Sequence, residues 1–335
     1  APPPPPAPVN IVAADEAGIA RAAELLRAGE LVAFPTETVY GLGADAKNAA
    51  AVGKIYALKG RPAGHPVIVH LADAARLDDW ASEVPEAARR LARAFWPGPL
   101  TLVLKRAPQV PDAVTGGQDT VGLRVPSHPV AQALLAAFDG GVAAPSANKF
   151  GRVSPTLAEH VFADFQLAVP LILDGGAADV GIESTIVDLA GERPRLLRPG
   201  GVAAAAIEEV LGAPLAAADE SAPRAPGALP AHYAPKAHVR LAKRVEMLEA
   251  IASHKGRRLG ALALEVKVPR LNPALQRVVP AIAAQYAHEL YAALRALDAQ
   301  NVDLILVEAP PGSPAWAAVH DRLARAARGA TEGAT

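Results

Sequence analysis

From 213 to 237 the chain reads APLAAADESAPRAPGALPAHYAPKA, and this segment limits what the rest can fold into. Its prolines are too closely spaced for a helix to cross, because each one removes a backbone donor and clashes with the preceding turn. It reads as a linker between two stretches that each alternate short β-rich runs with helical spacing. Before it, LVAF (31–34), PVIVH (66–70), LTLVLK (100–105), TVGLRV (120–125), GVAAP (141–145), LILD (171–174) and STIVDL (184–189) predict seven strands. Residues 49–58, 85–95, 129–138 and 156–162 space their apolar positions as helices do. Seven strands with about four helices do not make a clean doubly wound sheet, so an α/β domain with a twisted mixed sheet is expected over 11–212.

After the linker, strands at 239–242, 258–264 and 303–308 alternate with helices near 246–254, 281–297 and 315–327. That pattern predicts a small Rossmann-like α/β domain over 238–330, although no glycine-rich phosphate loop stands in it. The opening APPPPPAPVN predicts a flexible proline-rich tail over 1–10 rather than a signal peptide, since it lacks a basic start and an apolar middle. No stretch approaches 18 uninterrupted apolar residues, so a soluble, cytoplasmic protein is expected, with no membrane partner.

Composition narrows the chemistry. With 51% hydrophobic and 20% charged residues the chain can bury a core, and with only 4% aromatic residues that core must be aliphatic. The absence of cysteine excludes disulfides, thiol catalysis and cysteine-ligated zinc. A net charge of −1 removes the global argument for nucleic-acid binding; from Lys236 onward the chain carries 14 basic and 9 acidic residues, a modest surplus.

The motifs point to a small anionic ligand. GLGADA (41–46) satisfies a loose dinucleotide fingerprint, but six residues separate it from the preceding strand, and Lys59 and Arg61 stand near where a ribose-binding acid is needed. No Walker A loop occurs. The strand ending at Phe34-Pro35 presents Thr36, Glu37 and Thr38 at a sheet edge, where hydroxyls and a carboxylate can bind a small polar ligand. Lys59 and Arg61 flank Gly60 at a helix end, a pairing that suits phosphate or simply the helix dipole. Arg124, on a probable strand, needs an anion, either a structural carboxylate or a ligand group. Ser146, Asn148, Ser154 and Thr156 lie in a loop after a strand, and Ser184 and Arg198 sit beside a strand start and a Pro-Gly-Gly turn. No Ser-His-Asp spacing or metal-binding carboxylate cluster stands out, which argues against covalent catalysis and a protein-ligated metal.

Taken in order, PTETVYGLG, K-x-R-P with PVIVH, WPGPLTLVL, GLRVP, APSAN, ESTIVD and LRPG strongly resemble the YrdC family, and the extension behind PGALPAHYAP resembles its longer, two-domain form. The resemblance implies an enzyme, a nucleotidyltransferase that joins L-threonine, bicarbonate and ATP into threonylcarbamoyl-AMP for tRNA modification. Mg2+ would be carried by the ATP. A separate tRNA threonylcarbamoyl transferase would take the adenylate, with at most weak tRNA contact by this chain. Carried over to this sequence, the resemblance implies that Thr36, His70, Arg124 and Ser184 face threonine. Lys59, Arg61, Thr120, Ser146, Asn148, Ser154, Thr156 and Arg198 would hold the nucleotide, Lys59 and Arg61 being the catalytic cations, and Tyr233 would fold over the pocket from the linker. The family commonly has a basic residue where this linker reads ALPA, which leaves Arg224 as a substitute. A non-catalytic RNA-binding module is the alternative, and the acidic balance of the first 235 residues weighs against it.

Overall fold

A computed structural model describes residue 6, residues 8–254 and residues 256–329. Eleven strands form the first sheet: β1 (Ile11–Ala13), β2 (Val32–Phe34), β3 (Gly41–Asp45), β4 (Val69–His70), β5 (Leu100–Lys105), β6 (Thr120–Arg124), β7 (Val142–Ala143), β8 (Leu171–Asp174), β9 (Thr185–Asp188), β10 (Arg195–Arg198) and β11 (Ala216–Ala217). Their order across the sheet is β1-β8-β2-β3-β7-β4-β6-β5-β9-β10-β11. Pairing is mixed: β2/β3, β5/β6 and β9/β10 run antiparallel, whereas β2/β8, β4/β6 and β5/β9 run parallel. β5, apolar but for Thr101, is buried along its length until Lys105, as a strand covered on both faces requires.

The sheet is larger than the seven predicted strands. β1, β10 and β11 are only two to four residues long, too short for a period to register, and tertiary pairing alone defines them. β3 is the informative case, because GLGADA is a strand paired antiparallel with β2 and not a loop that wraps a phosphate. Two helices, Glu16–Arg27 and Ala204–Leu211, also escaped the sequence pattern; their buried faces are mostly alanine and glycine, or a single isoleucine. β11 lies inside the stretch read as linker, so the first sheet reaches into that segment before the chain leaves it.

The second sheet, β12 (His238–Ala242), β13 (Leu259–Leu264), β14 (Gln276–Val279) and β15 (Leu304–Glu308), is wholly parallel in the order β12-β15-β13-β14. Helices Arg244–Ser253, Ala283–Asp298 and Ala317–Arg328 accompany it. Its edge strand β14, with an exposed Val278, was not predicted.

One core does not stop at the second sheet. Tyr286, Leu290, Tyr291, Leu294 and Leu323 of its helices pack in the same cluster as Tyr233 of the linker and Val39, Val153 and Ile182 of the first sheet's loops. Of the tail expected over 1–10, residues 1–5 and 7 lie outside the described residues, as does residue 330 at the far end. Asn10 belongs to the fold: it is buried and donates to the carbonyls of Gln166 (2.9 Å) and Val169 (3.0 Å). Among the described residues no helix is long and apolar enough to cross a membrane.

Candidate active site

The ends of β2, β4, β6, β7 and β9 converge on a cleft that the linker covers. Thr36, Thr38, Arg61, His70, Arg124, Ser146, Glu183, Ser184 and Arg198 line it, and Pro226, Gly227, His232 and Tyr233 close it from the linker side. The cleft is partly open to solvent, with about 570 Å³ of empty space within and before it.

The floor is a set of interlocked hydroxyls and charges. After β2 the chain turns tightly: Thr36 Oγ1 donates to the Val39 carbonyl (2.7 Å) and lies 2.8 Å from Thr38 Oγ1. This turn brings Glu37 to Arg124 on β6, with Nη1 2.7 Å from Oε1, while Arg124 Nη2 donates to Thr38 Oγ1 (3.1 Å). The anion that Arg124 requires is therefore supplied within the fold. Ser127 donates to Glu37 Oε2 from both its backbone N–H (2.7 Å) and its hydroxyl (2.6 Å). Burial alone would raise the Glu37 carboxyl, but Arg124 and Ser127 bring it down to about 2. His70, at the end of β4, is fully buried, and burial and then the Arg124 charge push its imidazole down to about 3. It stands in the cleft as a neutral ring whose Nδ1 has no hydrogen-bond partner.

The cations on the opposite wall have local causes. Helix Ala49–Lys59 starts on an Asn48 cap and ends at Gly60, which adopts φ +67° and reverses the chain so that Lys59 and Arg61 face inward from both sides of the corner. Lys59 does not line the cavity. Its ammonium lies beneath the 146–148 loop and donates to the carbonyls of Ser146 and Asn148. Burial and then Arg61 hold it well below its ordinary value. Arg61 reaches the cavity while donating to the Pro66 carbonyl (2.6 Å); burial lowers it to about 10, and its Nε is left without a partner. Arg198, at the end of β10, donates through Nε to the Ser184 carbonyl (3.0 Å), and its Nη2 approaches Ser184 Oγ (3.3 Å).

Of the thirteen residues singled out in the sequence, Thr36, Arg61, His70, Arg124, Ser146, Ser184, Arg198 and Tyr233 line this cavity. Lys59 and Asn148 support it from behind; the Asn148 amide donates to the carbonyls of Lys149 and Arg152. Ser154 donates to Glu183 (2.6 Å), and Thr156 lies outside the cavity lining, its N–H donating to His160 Nδ1 (3.1 Å). Thr120 lines an adjoining narrow slot with Ile68, Val103, Ile186, Arg224 and Pro226. Arg224 is spent on the carbonyls of Gly64 (3.0 Å) and Gly116 (2.9 Å), pinning the linker across that slot.

The sequence reading missed Glu183, His232, Tyr291 and Arg322. Glu183 was visible within ESTIVD and His232 within HYAP, but a buried role shows in neither; Tyr291 and Arg322 look like ordinary helix residues. Among the described residues Glu183 is the one carboxylate on the cavity wall. Burial would raise it, yet Arg322, Arg198 and the hydroxyls of Ser154 and Tyr291 bring it down to about 2. Tyr233, at φ +57°, is buried with its hydroxyl unpartnered, and its ring stacks on Tyr291 with centroids 6.0 Å apart. Among the described residues no group of three or more His, Asp or Glu side chains is gathered as a metal site would need.

Two sheets with their helices, meeting at a polar cleft that the linker covers, define a two-domain α/β protein. The sequence model of the Sua5/YciO/YrdC family (telomere recombination) matches residues 24–200, and that of the threonylcarbamoyl-AMP synthase C-terminal domain matches residues 202–328. The chain belongs to the Sua5/YrdC family. It is 44% identical to the threonylcarbamoyl-AMP synthase of Bacillus subtilis over 93% of both chains. With the enzyme of the same name from Pyrococcus abyssi it is 41% identical over 91% of this chain and 92% of the relative. The crystal structure of P. abyssi Sua5 complexed with L-threonine superposes with a TM-score of 0.88 at 40% identity, covering 94% of this chain and 96% of that one.

Proposed function

We propose that this protein condenses L-threonine, bicarbonate and ATP into threonylcarbamoyl-AMP and pyrophosphate. What supports this reading most is similarity along nearly the whole chain to enzymes of that name, together with a covered cleft that sets hydroxyls and a neutral histidine opposite buried cations. In this reading 11–212 is the catalytic domain, 213–237 its lid and 238–330 a supporting domain.

The chemistry asks for positioning and charge neutralisation rather than a covalent intermediate. The threonine amine adds to the carbon of bicarbonate with loss of water, or to its carbon dioxide with loss of a proton to solvent, giving a carbamate in either case. A carbamate oxygen then attacks the α-phosphorus of ATP, and the bond to the β-phosphate oxygen breaks to release pyrophosphate. Thr36, Ser184 and His70 bind threonine, His70 as a neutral ring that leaves the amine unopposed by charge. Arg124 presents the carboxylate-binding cation, with Glu37 fixing its plane. Arg61, Ser146 and Arg198 meet the phosphates, and Lys59 and Asn148 hold the 146–148 loop in place for them. The slot by Thr120 takes the nucleoside. Glu183 is committed to Arg322, Tyr291 and Ser154, so the wall offers no open carboxylate to a metal. Magnesium would enter with the ATP and, when bound, would supply charge neutralisation. Tyr233 and His232 exclude water from a labile mixed anhydride.

The adenylate leaves the cytoplasmic enzyme for a separate transferase that modifies tRNA. Arg61, Arg124 and Arg198 are buried in the cleft rather than set on a face, so these three cations favour the small-molecule reading over the RNA-binding alternative. Pyrophosphate release with ATP and Mg2+, omitting threonine and bicarbonate in turn, tests the proposal. Release must require both substrates and yield a threonine-containing adenylate; turnover of ATP without threonine refutes it.

A further inference from the structure

The cleft is built mostly by the first domain, but its one wall carboxylate is held by the second. Glu183 Oε1 accepts from Tyr291 of helix Ala283–Asp298 (2.7 Å) and from Arg322 Nε of helix Ala317–Arg328 (3.0 Å), and Ser154 completes the set at Oε2 (2.6 Å). Arg322 is 1% exposed and grips a second point, donating to the Pro199 carbonyl (2.6 Å). Those two points, 183 and 199, are each one residue from cavity-lining groups, Ser184 and Arg198. The same guanidinium stands 5.3 Å from the ring centroid of Tyr233, and Tyr291 stacks on the other side of the cluster.

A buried ion pair is poor glue: well-packed apolar residues of similar volume usually stabilise a fold as well or better, because they carry no desolvation cost. What such a pair does supply is direction, since a guanidinium with its donors fixed on a carboxylate and a carbonyl tolerates one arrangement of both. Here that arrangement lies at the point where the two domains and the linker meet.

We infer that Arg322 and Tyr291 are positioning residues of the cleft: through Glu183 and the Pro199 carbonyl they fix Ser184, Arg198 and the ring of Tyr233, so that the second domain completes the first domain's site. The catalytic consequence rests on the function proposed above, whereas the coupling itself does not.

Two variants test it, measured by amide hydrogen exchange and by steady-state pyrophosphate release. Tyr291→Phe keeps the stacked ring and removes one donor to Glu183; Arg322→Met keeps an unbranched apolar stem and removes the guanidinium's donors to Glu183 and to the Pro199 carbonyl. Losing one hydrogen bond to a charged group corresponds to about a tenfold change in a local equilibrium. Tyr291→Phe is therefore expected to speed exchange over 226–235 by about tenfold and to raise the KM for ATP and threonine by about fivefold with kcat changed less. Arg322→Met is expected to shift both further, and Arg322→Lys to restore part of the loss. If exchange over 226–235 and both KM values in Tyr291→Phe match the parent, the inference is overturned, whatever happens to the melting temperature. Exchange decides the coupling even in a parent that releases no pyrophosphate, and that last result would strike the proposed function alone.

Discussion

Stability should fall with acid long before the carboxylates titrate, and the histidines set where. His70 and His232 are buried and His160 is half-buried, and burial is the first cause that lowers each from 6.5, to about 3 for His70 and His232 and about 4 for His160. The charges facing them add to or oppose this: Arg124 and Glu37 for His70, Arg295 and Asp164 for His160, and Lys59, Arg61, Arg198 and Glu183 for His232. The unfolded chain protonates these rings as pH drops through 6.5, while the folded chain does not until about pH 4 to 3. Their neutral forms thus contribute stability that is complete above pH 6.5 and is lost on the way down. Each ring costs about 1.4 kcal/mol per pH unit, so three together cost about 4 kcal/mol per unit and about 6 kcal/mol by pH 5. That is comparable with the whole stability of an ordinary domain. Glu37 and Glu183, both near 2 in the fold, add their own loss only as pH falls from 4.5 toward 2. Urea unfolding between pH 8 and pH 5 measures this. Trp80 reports the first domain and Trp316 the second by fluorescence, both being buried. The midpoint is expected to drop steadily below pH 6.5, and His160→Gln to flatten the slope by about a third. A midpoint unchanged from pH 8 to pH 5 would refute the claim that these rings are held neutral.

Three further outcomes follow from particular contacts. Glu37→Gln leaves Arg124 buried beside a neutral amide and is expected to cost about 3–5 kcal/mol in urea unfolding, the usual result of removing one partner of a buried pair. Gly227 has φ +74°, and a Cβ there would lie 2.1 Å from the Tyr233 hydroxyl. Gly227→Ala is accordingly expected to push the linker off the cleft and raise the KM for ATP by about tenfold, with far-UV circular dichroism unaltered. Arg61→Ala should lower kcat/KM in pyrophosphate release by on the order of 10²–10³, as loss of a cation facing a developing phosphoryl charge does; an unchanged kcat/KM would remove Arg61 from the chemistry.

Sequence alone determined the parts whose physics is local. Proline density marked the linker, LTLVLK marked a strand, and Gly60 between Lys59 and Arg61 marked the end of a helix. The order of motifs carried the family and most of the cleft, since residues next to strand ends and turns are where a chain reading can find them. The tertiary structure decided what depends on distant partners. Arg124 needed an anion, yet that Glu37 supplies it follows only from the turn at Thr36 to Val39 meeting β6. GLGADA became a strand because β2 and β7 lie on either side of it, which no glycine spacing shows. Lys59 was expected on the ligand and is found under the loop, because burial among the carbonyls of Ser146 and Asn148 is a property of the packed chain. Least legible were Tyr291 and Arg322, more than a hundred residues from the carboxylate they hold. Helical periodicity records that a face is buried; what it is buried against is fixed only when the second domain closes on the first.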